Sequence, residues 1–129
     1  MSFKTEKEIE DLFVQRCRDL LRPGWKISQQ HKIGKRHCEK SPGNTKCVGR
    51  VDVVITDASG SWHFAEVKKF KDTVGLIHGA AQLMFYFDFC NTRGIPVGKI
   101  ALVSDKFTKD ATDFISRMFP KIDMIEVSK

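Results

Sequence analysis

Residues 62 to 70, "WHFAEVKKF", carry Glu66 and Lys68 two positions apart among aromatic and β-branched neighbours. The run reads as a β-strand, in which successive side chains alternate faces, so this acid and this base point the same way, about 6 to 7 Å apart. Asp52 lies in an earlier β-branched run, "RVDVVITD", and Glu66 follows it after thirteen intervening residues. A carboxylate inside a strand is costly unless a cation or a wet cleft compensates it. If the two runs pair as a hairpin, Asp52, Glu66 and Lys68 converge, and two carboxylates beside an ammonium are the raw material of a hard-cation site.

Mg²⁺ takes octahedral oxygen ligands, keeps several waters, and is usually held by one or two carboxylates together with a substrate phosphate. Asp52, Glu66 and the carbonyl oxygen of Val67 would supply the protein's share. Lys68 would then orient or deprotonate the attacking water, or stabilise negative charge growing on a phosphate. The competing reading is an exposed strand face with a weak ion pair. The apolar neighbours on both sides of Glu66 speak against it.

The surrounding elements must deliver these residues. Residues 4 to 22 repeat Ile9, Leu12, Phe13, Cys17, Leu20 and Leu21 at helical spacing, with Thr5 and Glu8 as a capping box, and Pro23 and Gly24 end the helix. A short strand, "WKISQQHKI", follows. "GKRHCEKSPGNTKCVG" then reads as a basic loop at about 34–49. "DASGS" is turn chemistry between the two strands that carry the acids. "VGLIHGAAQLMFYFDFC", 74 to 90, is apolar on nearly every side and predicts a buried helix. "KIALVSD" predicts a strand, "FTKDATDFISRMF" a helix with Phe107, Ala111, Phe114, Ile115 and Met118 inward, and "KIDMIEV" a closing strand. The order α-β-β-β-α-β-α-β describes an α/β protein with a mixed central sheet flanked by helices.

Asp52 followed by "EVK" resembles the PD-(D/E)XK nuclease superfamily, which has the restriction-endonuclease-like fold. "GRVD", 49 to 52, is similar to the first motif of its RecB-type branch, and "QLMFY", Gln82 to Tyr86, to that branch's Q-x-x-x-Y motif on the following helix. Val51 stands where the superfamily's name has proline. The resemblance implies a Mg²⁺-dependent nuclease, with Mn²⁺ able to substitute, whether it cuts at ends or within a strand. Asp52, Glu66, Lys68 and Gln82 would be catalytic, and Asp52, Glu66, Val67 and Glu10 would hold metal. Many members bring a glutamate from the first helix. Glu8 and Glu10 are both candidates, Glu10 being better placed beside the apolar Ile9. By the same resemblance, Gln82 would position Lys68 or the substrate and Tyr86 would touch a phosphate. His78, Gln82 and Tyr86 recur at four-residue steps and so share one face of the greasy helix.

Twenty-two Lys and Arg against sixteen Asp and Glu leave a net charge of +6 over 129 residues. That favours a polyanionic partner, because each neutralised phosphate releases counterions. Lys32, Lys35, Arg36, Lys40, Lys46, Arg50 and Lys69 are placed to guide nucleic acid, DNA in preference to RNA, or else form a merely solvated basic surface. His31, His37, Cys38 and Cys47 lack the C-x-x-C clip of a zinc site. No cysteine follows Cys90 to hold an iron–sulfur cluster. The length suits one domain, with so little surface outside its cleft that a homodimer, or a structured or single-stranded substrate, is expected. No apolar run reaches the roughly 20 residues of a membrane span, and the charged start lacks a signal peptide's apolar core. The expected setting is therefore soluble and intracellular. Two other readings stay open: a non-catalytic nucleic-acid-binding domain of the same fold, and a small α/β module whose basic loop contacts an acidic protein.

Overall fold

The computed structural model describes residues 2–33 and 49–129. In chain order the elements are α1 (Glu6–Leu20), β1 (Lys26–Ile33), β2 (Gly49–Thr56), β3 (Trp62–Lys68), α2 (Thr73–Thr92), β4 (Val97–Ser104), α3 (Lys109–Met118) and β5 (Ile122–Glu126). This is the α/β order expected from hydrophobic periodicity. Lys35, Arg36, Lys40 and Lys46, with His37, Cys38 and Cys47, lie outside the described residues.

The strands form a five-stranded mixed sheet in sequence order. β2 runs antiparallel to both of its neighbours, β1 and β3, while β3, β4 and β5 run parallel through crossovers over α2 and α3. β3 therefore belongs to both halves. One face packs on α1, where Ile9 and Val14 meet Val53, Ala65, Val67 and Val103. The other packs on α2 and α3, where Leu76, Leu83 and Ile115 meet Val54, Phe64 and Leu102.

Each helix begins on a polar cap. Thr5 accepts the Glu8 N–H at 3.2 Å, Asp72 that of Gly75 at 2.7 Å, and Thr108 that of Ala111 at 3.2 Å, each filling one of the orphan donors of a first turn. The β2–β3 turn is held by Asp57, which accepts from Ser59 Oγ at 2.6 Å and faces His63 Nε2 at 2.9 Å. Gly60 takes φ 89°, a conformation that favours glycine at this turn.

Burial departs from the helical periodicity at three places. Leu20, at the end of α1, is 82% exposed, Met118 closes α3 largely in solvent, and Phe85 and Val74 of α2 face outward. Terminal turns overhang the sheet they cover, which frees Leu20 and Met118. In α2 the sheet and α3 occupy one side only, so a helix apolar all round still has an outer face. Among the described residues no helix is long and apolar enough to cross a membrane.

Candidate active site

β2 and β3 pair from Thr56↔Trp62 only as far as Val53↔Ala65. Beyond that point β2 stays bonded to β1 as far as Gly49, and β3 to β4 as far as Lys68. The two strands thus part in the middle of the sheet, each secured on its far side. Side chains replace the missing ladder: Asp52 Oδ2 accepts the Val67 N–H at 2.7 Å, and Glu66 Oε1 accepts the Asp52 N–H at 3.2 Å. The alternation of β2 breaks at the same place, since Val51 packs in the α2-side core and Val53 in the α1-side core. Asp52 is the residue between them.

A third carboxylate arrives from α1. Glu10 is buried, and its two oxygens accept from Gln29 Nε2 at 2.8 Å and Gln30 Nε2 at 2.7 Å. The Gln30 amide also donates to Asp52 Oδ1 at 3.1 Å, linking Glu10 to Asp52. Glu8 points elsewhere: it pairs with Lys129 at 3.1 Å and accepts the Lys4 N–H. Of the two glutamates, Glu10 is the one turned toward the sheet and, through Gln30, toward Asp52. Glu6 stands on the rim, accepting the backbone N–H of Lys69 at 3.1 Å.

Phe64, Glu66 and Lys68 share the α2 side of β3 by alternation. The Lys68 stem lies against α2 at Gly79, where an added Cβ would come within 2.9 Å of Lys68 Cγ and 2.8 Å of Leu102 Cδ1. Lys68, His78, Gln82 and Tyr86 line one pocket with Phe85, and Glu6, Lys68, Lys69, Lys71 and His78 line the next. The polar stripe of α2 therefore faces the end of β3 that bears the lysine. Tyr86 is buried and donates its hydroxyl to the Arg50 carbonyl at 3.2 Å. Gly49 makes room for that ring, because a Cβ there would lie 2.7 Å from Tyr86 Cε1. The Arg50 side chain is exposed and Lys69 is half-buried.

The electrostatics follow from burial with little positive charge. Glu66 is pushed up to about 8, chiefly by burial and next by the charge of Asp52, against the opposing Asp52 N–H and Lys68. Asp52 is also raised, by burial first, with the Val67 N–H and the Gln30 amide pulling it down. Neither carboxylate belongs to any of the ion pairs among the described residues. A buried Glu66 beside a half-buried Asp52, both carboxyls raised by burial, is a pairing that a hard divalent ion would compensate. Among the described residues no three Asp, Glu, His or Cys side chains form a cage of their own. The oxygen donors that meet are the two carboxylates, the sparse protein share with which Mg²⁺ is commonly held, and the Val67 group against them is an N–H bonded to Asp52.

Neither Glu6 nor the pair Gln29 and Gln30 stood out in the sequence. The only signal was two successive glutamines in a strand otherwise alternating with Ile27 and Ile33, which left one polar side chain without an evident partner.

No protein-family profile and no curated protein sequence matches the chain. Two solved structures share its fold. A repair endonuclease from Pyrococcus abyssi superposes with a TM-score of 0.63 at 20% identity, over 99% of this chain and 49% of the other. An EndoMS–dsDNA complex superposes with a TM-score of 0.59 at 18% identity, over 100% of this chain and 48% of the other. The chain spans about half the length of each.

Proposed function

We propose that the chain is a Mg²⁺-dependent nuclease that hydrolyses phosphodiester bonds in DNA, in the manner of the PD-(D/E)XK nucleases its motifs resemble. The observation that carries the reading is the meeting of Asp52 and Glu66 where β2 and β3 part, with Lys68 two residues further along the same face. The fold shared with a repair endonuclease and with EndoMS, seen bound to dsDNA, supports it, as does the net charge of +6.

Asp52, Glu66 and the Val67 carbonyl would hold the ion, with Glu10 completing the acidic wall. When bound, Mg²⁺ supplies Lewis acidity to the phosphate and makes water a better nucleophile. Hydrolysis joins a water oxygen to phosphorus and breaks the bond from phosphorus to the leaving strand's oxygen. The Lys68 ammonium would face the phosphate and offset charge gathering on its oxygens. Gln82, exposed on the same pocket, would orient Lys68 or the scissile phosphate. Tyr86 would bear on the substrate side of that pocket while holding β2 through Arg50. Arg50 and Lys69 would lie along the phosphate backbone, and Lys35 and Arg36, outside the described residues, would add to the contacts by charge, each one adding to salt dependence. With so little surface outside the cleft, a second copy of the chain would supply further DNA contacts.

The test is cleavage of linear, circular, single-stranded and branched DNA by purified protein with Mg²⁺, Mn²⁺ or EDTA. Cleavage should need the divalent ion and vanish in Lys68→Ala and Asp52→Asn proteins that remain folded. Wild-type activity in either variant removes the mechanism. DNA binding without cleavage, and without heat on Mg²⁺ titration, would instead identify a binding domain that keeps the fold.

A further inference from the structure

Among the described residues Gln30 is the one residue other than glycine with a positive φ, at 51°. It sits inside β1, between Gln29, paired with Val53, and His31, paired with Val51. Cross-strand partners share a face, so Gln29 points with Val53 toward α1 and its bond to Glu10 is expected. Its neighbour should point away. The left-handed backbone brings Gln30 round to the same carboxylate, so two consecutive side chains grip Glu10, one oxygen each. The turn of the backbone here matches the switch of β2 between the two cores at Asp52, while the Gln30 side chain, being exposed, gains nothing by burial. An ordinary side chain is strained in that region, and such strain gathers where function over-determines the backbone.

What the strain secures is one amide nitrogen between two acids, 2.7 Å from Glu10 Oε1 and 3.1 Å from Asp52 Oδ1. Carboxylate oxygens only accept, so the nitrogen and not the amide oxygen must face them. Resting on the nuclease reading above, we infer that Gln30 is a positioning residue: it aims Asp52 at the ion and fills the Glu10–Asp52 gap with a neutral amide. Glu10 then acts through Gln30, and the chain binds one divalent ion, on the Asp52–Glu66 side.

Calorimetric titration with Mn²⁺, alongside thermal melts, tests this on the wild type, Asp52→Ala, Gln30→Gly and Gln30→Glu. Wild type should bind one ion, and Asp52→Ala none. Gln30→Gly should melt at or above the wild-type temperature, because glycine takes positive φ freely. It should nonetheless bind Mn²⁺ about 10- to 100-fold more weakly, the usual cost of losing a residue that orients a ligand. A residue with only a structural role would show the reverse pattern. Gln30→Glu, which puts a third carboxylate in the gap, should take up a second ion. Wild-type Mn²⁺ affinity in Gln30→Gly, or two ions per wild-type chain, overturns the inference and leaves the nuclease reading standing. A wild type that binds no Mn²⁺ and cleaves nothing overturns both.

Discussion

Asp52 and Glu66 bond each other's strands through their side chains: the Asp52 carboxylate accepts the N–H of Val67, and the Glu66 carboxylate accepts the N–H of Asp52. The two acids thus serve as ladder rungs as well as candidate ion ligands. Asp52→Asn keeps an oxygen that can accept from Val67, whereas Asp52→Ala leaves that donor unpaired at a cost of about 1–3 kcal/mol. Urea melts should place Asp52→Asn near the wild type and Asp52→Ala well below it, with cleavage lost in both.

Stability should depend on pH through Glu66. Its folded value is raised to about 8 from 4.5, by burial and then by Asp52, with Lys68 opposing and Glu6 adding to the rise. Below about 4.5 both folded and unfolded chains hold the proton, and the contribution is present in full. As pH rises from there the unfolded chain releases its proton first, so stability falls until about 8 and then levels. Metal-free melting temperatures should follow that slope. Mg²⁺ should raise them more at about pH 8 than at about pH 5, because ion and proton compete for Glu66. A flat metal-free profile, after Glu66→Gln is shown to be equally flat, would contradict the assignment.

Gly49 and Tyr86 should behave as one unit. A Cβ at Gly49 would lie 2.7 Å from Tyr86 Cε1 and 2.9 Å from its hydroxyl, so Gly49→Ala must displace the ring that holds the Arg50 carbonyl. Overpacking of this kind costs about 1–3 kcal/mol. In a Tyr86→Ala background the same substitution should cost much less, and a double-mutant cycle read by denaturant melts measures the coupling.

Gly79→Ala should reach the chemistry without touching an acid. Its methyl would meet the buried Leu102 at 2.8 Å and the stem of Lys68 at 2.9 Å. The flexible lysine yields more readily than the packed leucine, so the ammonium shifts. Divalent-ion affinity should stay near wild type while the single-turnover cleavage rate falls about 10- to 100-fold, the scale on which small misplacements of reacting groups act.

Much of this architecture was readable in the residues because local signals agreed with each other. Pro23 and Gly24 end α1 close to where the periodicity breaks, and the turn residues between "RVDVVITD" and "WHFAEVKKF" give a hairpin that brings Asp52 close to Glu66. The split between β2 and β3 was not readable, because strict alternation puts Val51 and Val53 on one face when they occupy different cores. The backbone of Gln30 was hidden for a related reason: nothing in a strand's polarity pattern announces a positive φ at a residue other than glycine. Tyr86 reads as one step of a polar stripe, yet its hydroxyl is engaged with the chain's own backbone, a long-range contact that helical spacing does not encode. The outward Phe85 and Leu20 reflect which neighbours are present, and hydropathy alone does not record that.

β3 is zipped to β2 as a hairpin on one edge and to β4 through a crossover on the other. Hairpins close in about 1–10 μs, whereas parallel pairing must wait for distant chain to return. Glu10 comes from the first helix, Asp52 and Glu66 from the hairpin, and the purchase of Lys68 on α2 from the crossover. On that ordering, the place where these side chains meet would be completed after the hairpin. A divalent ion should therefore leave the rate of folding nearly unchanged and act as a brake on unfolding.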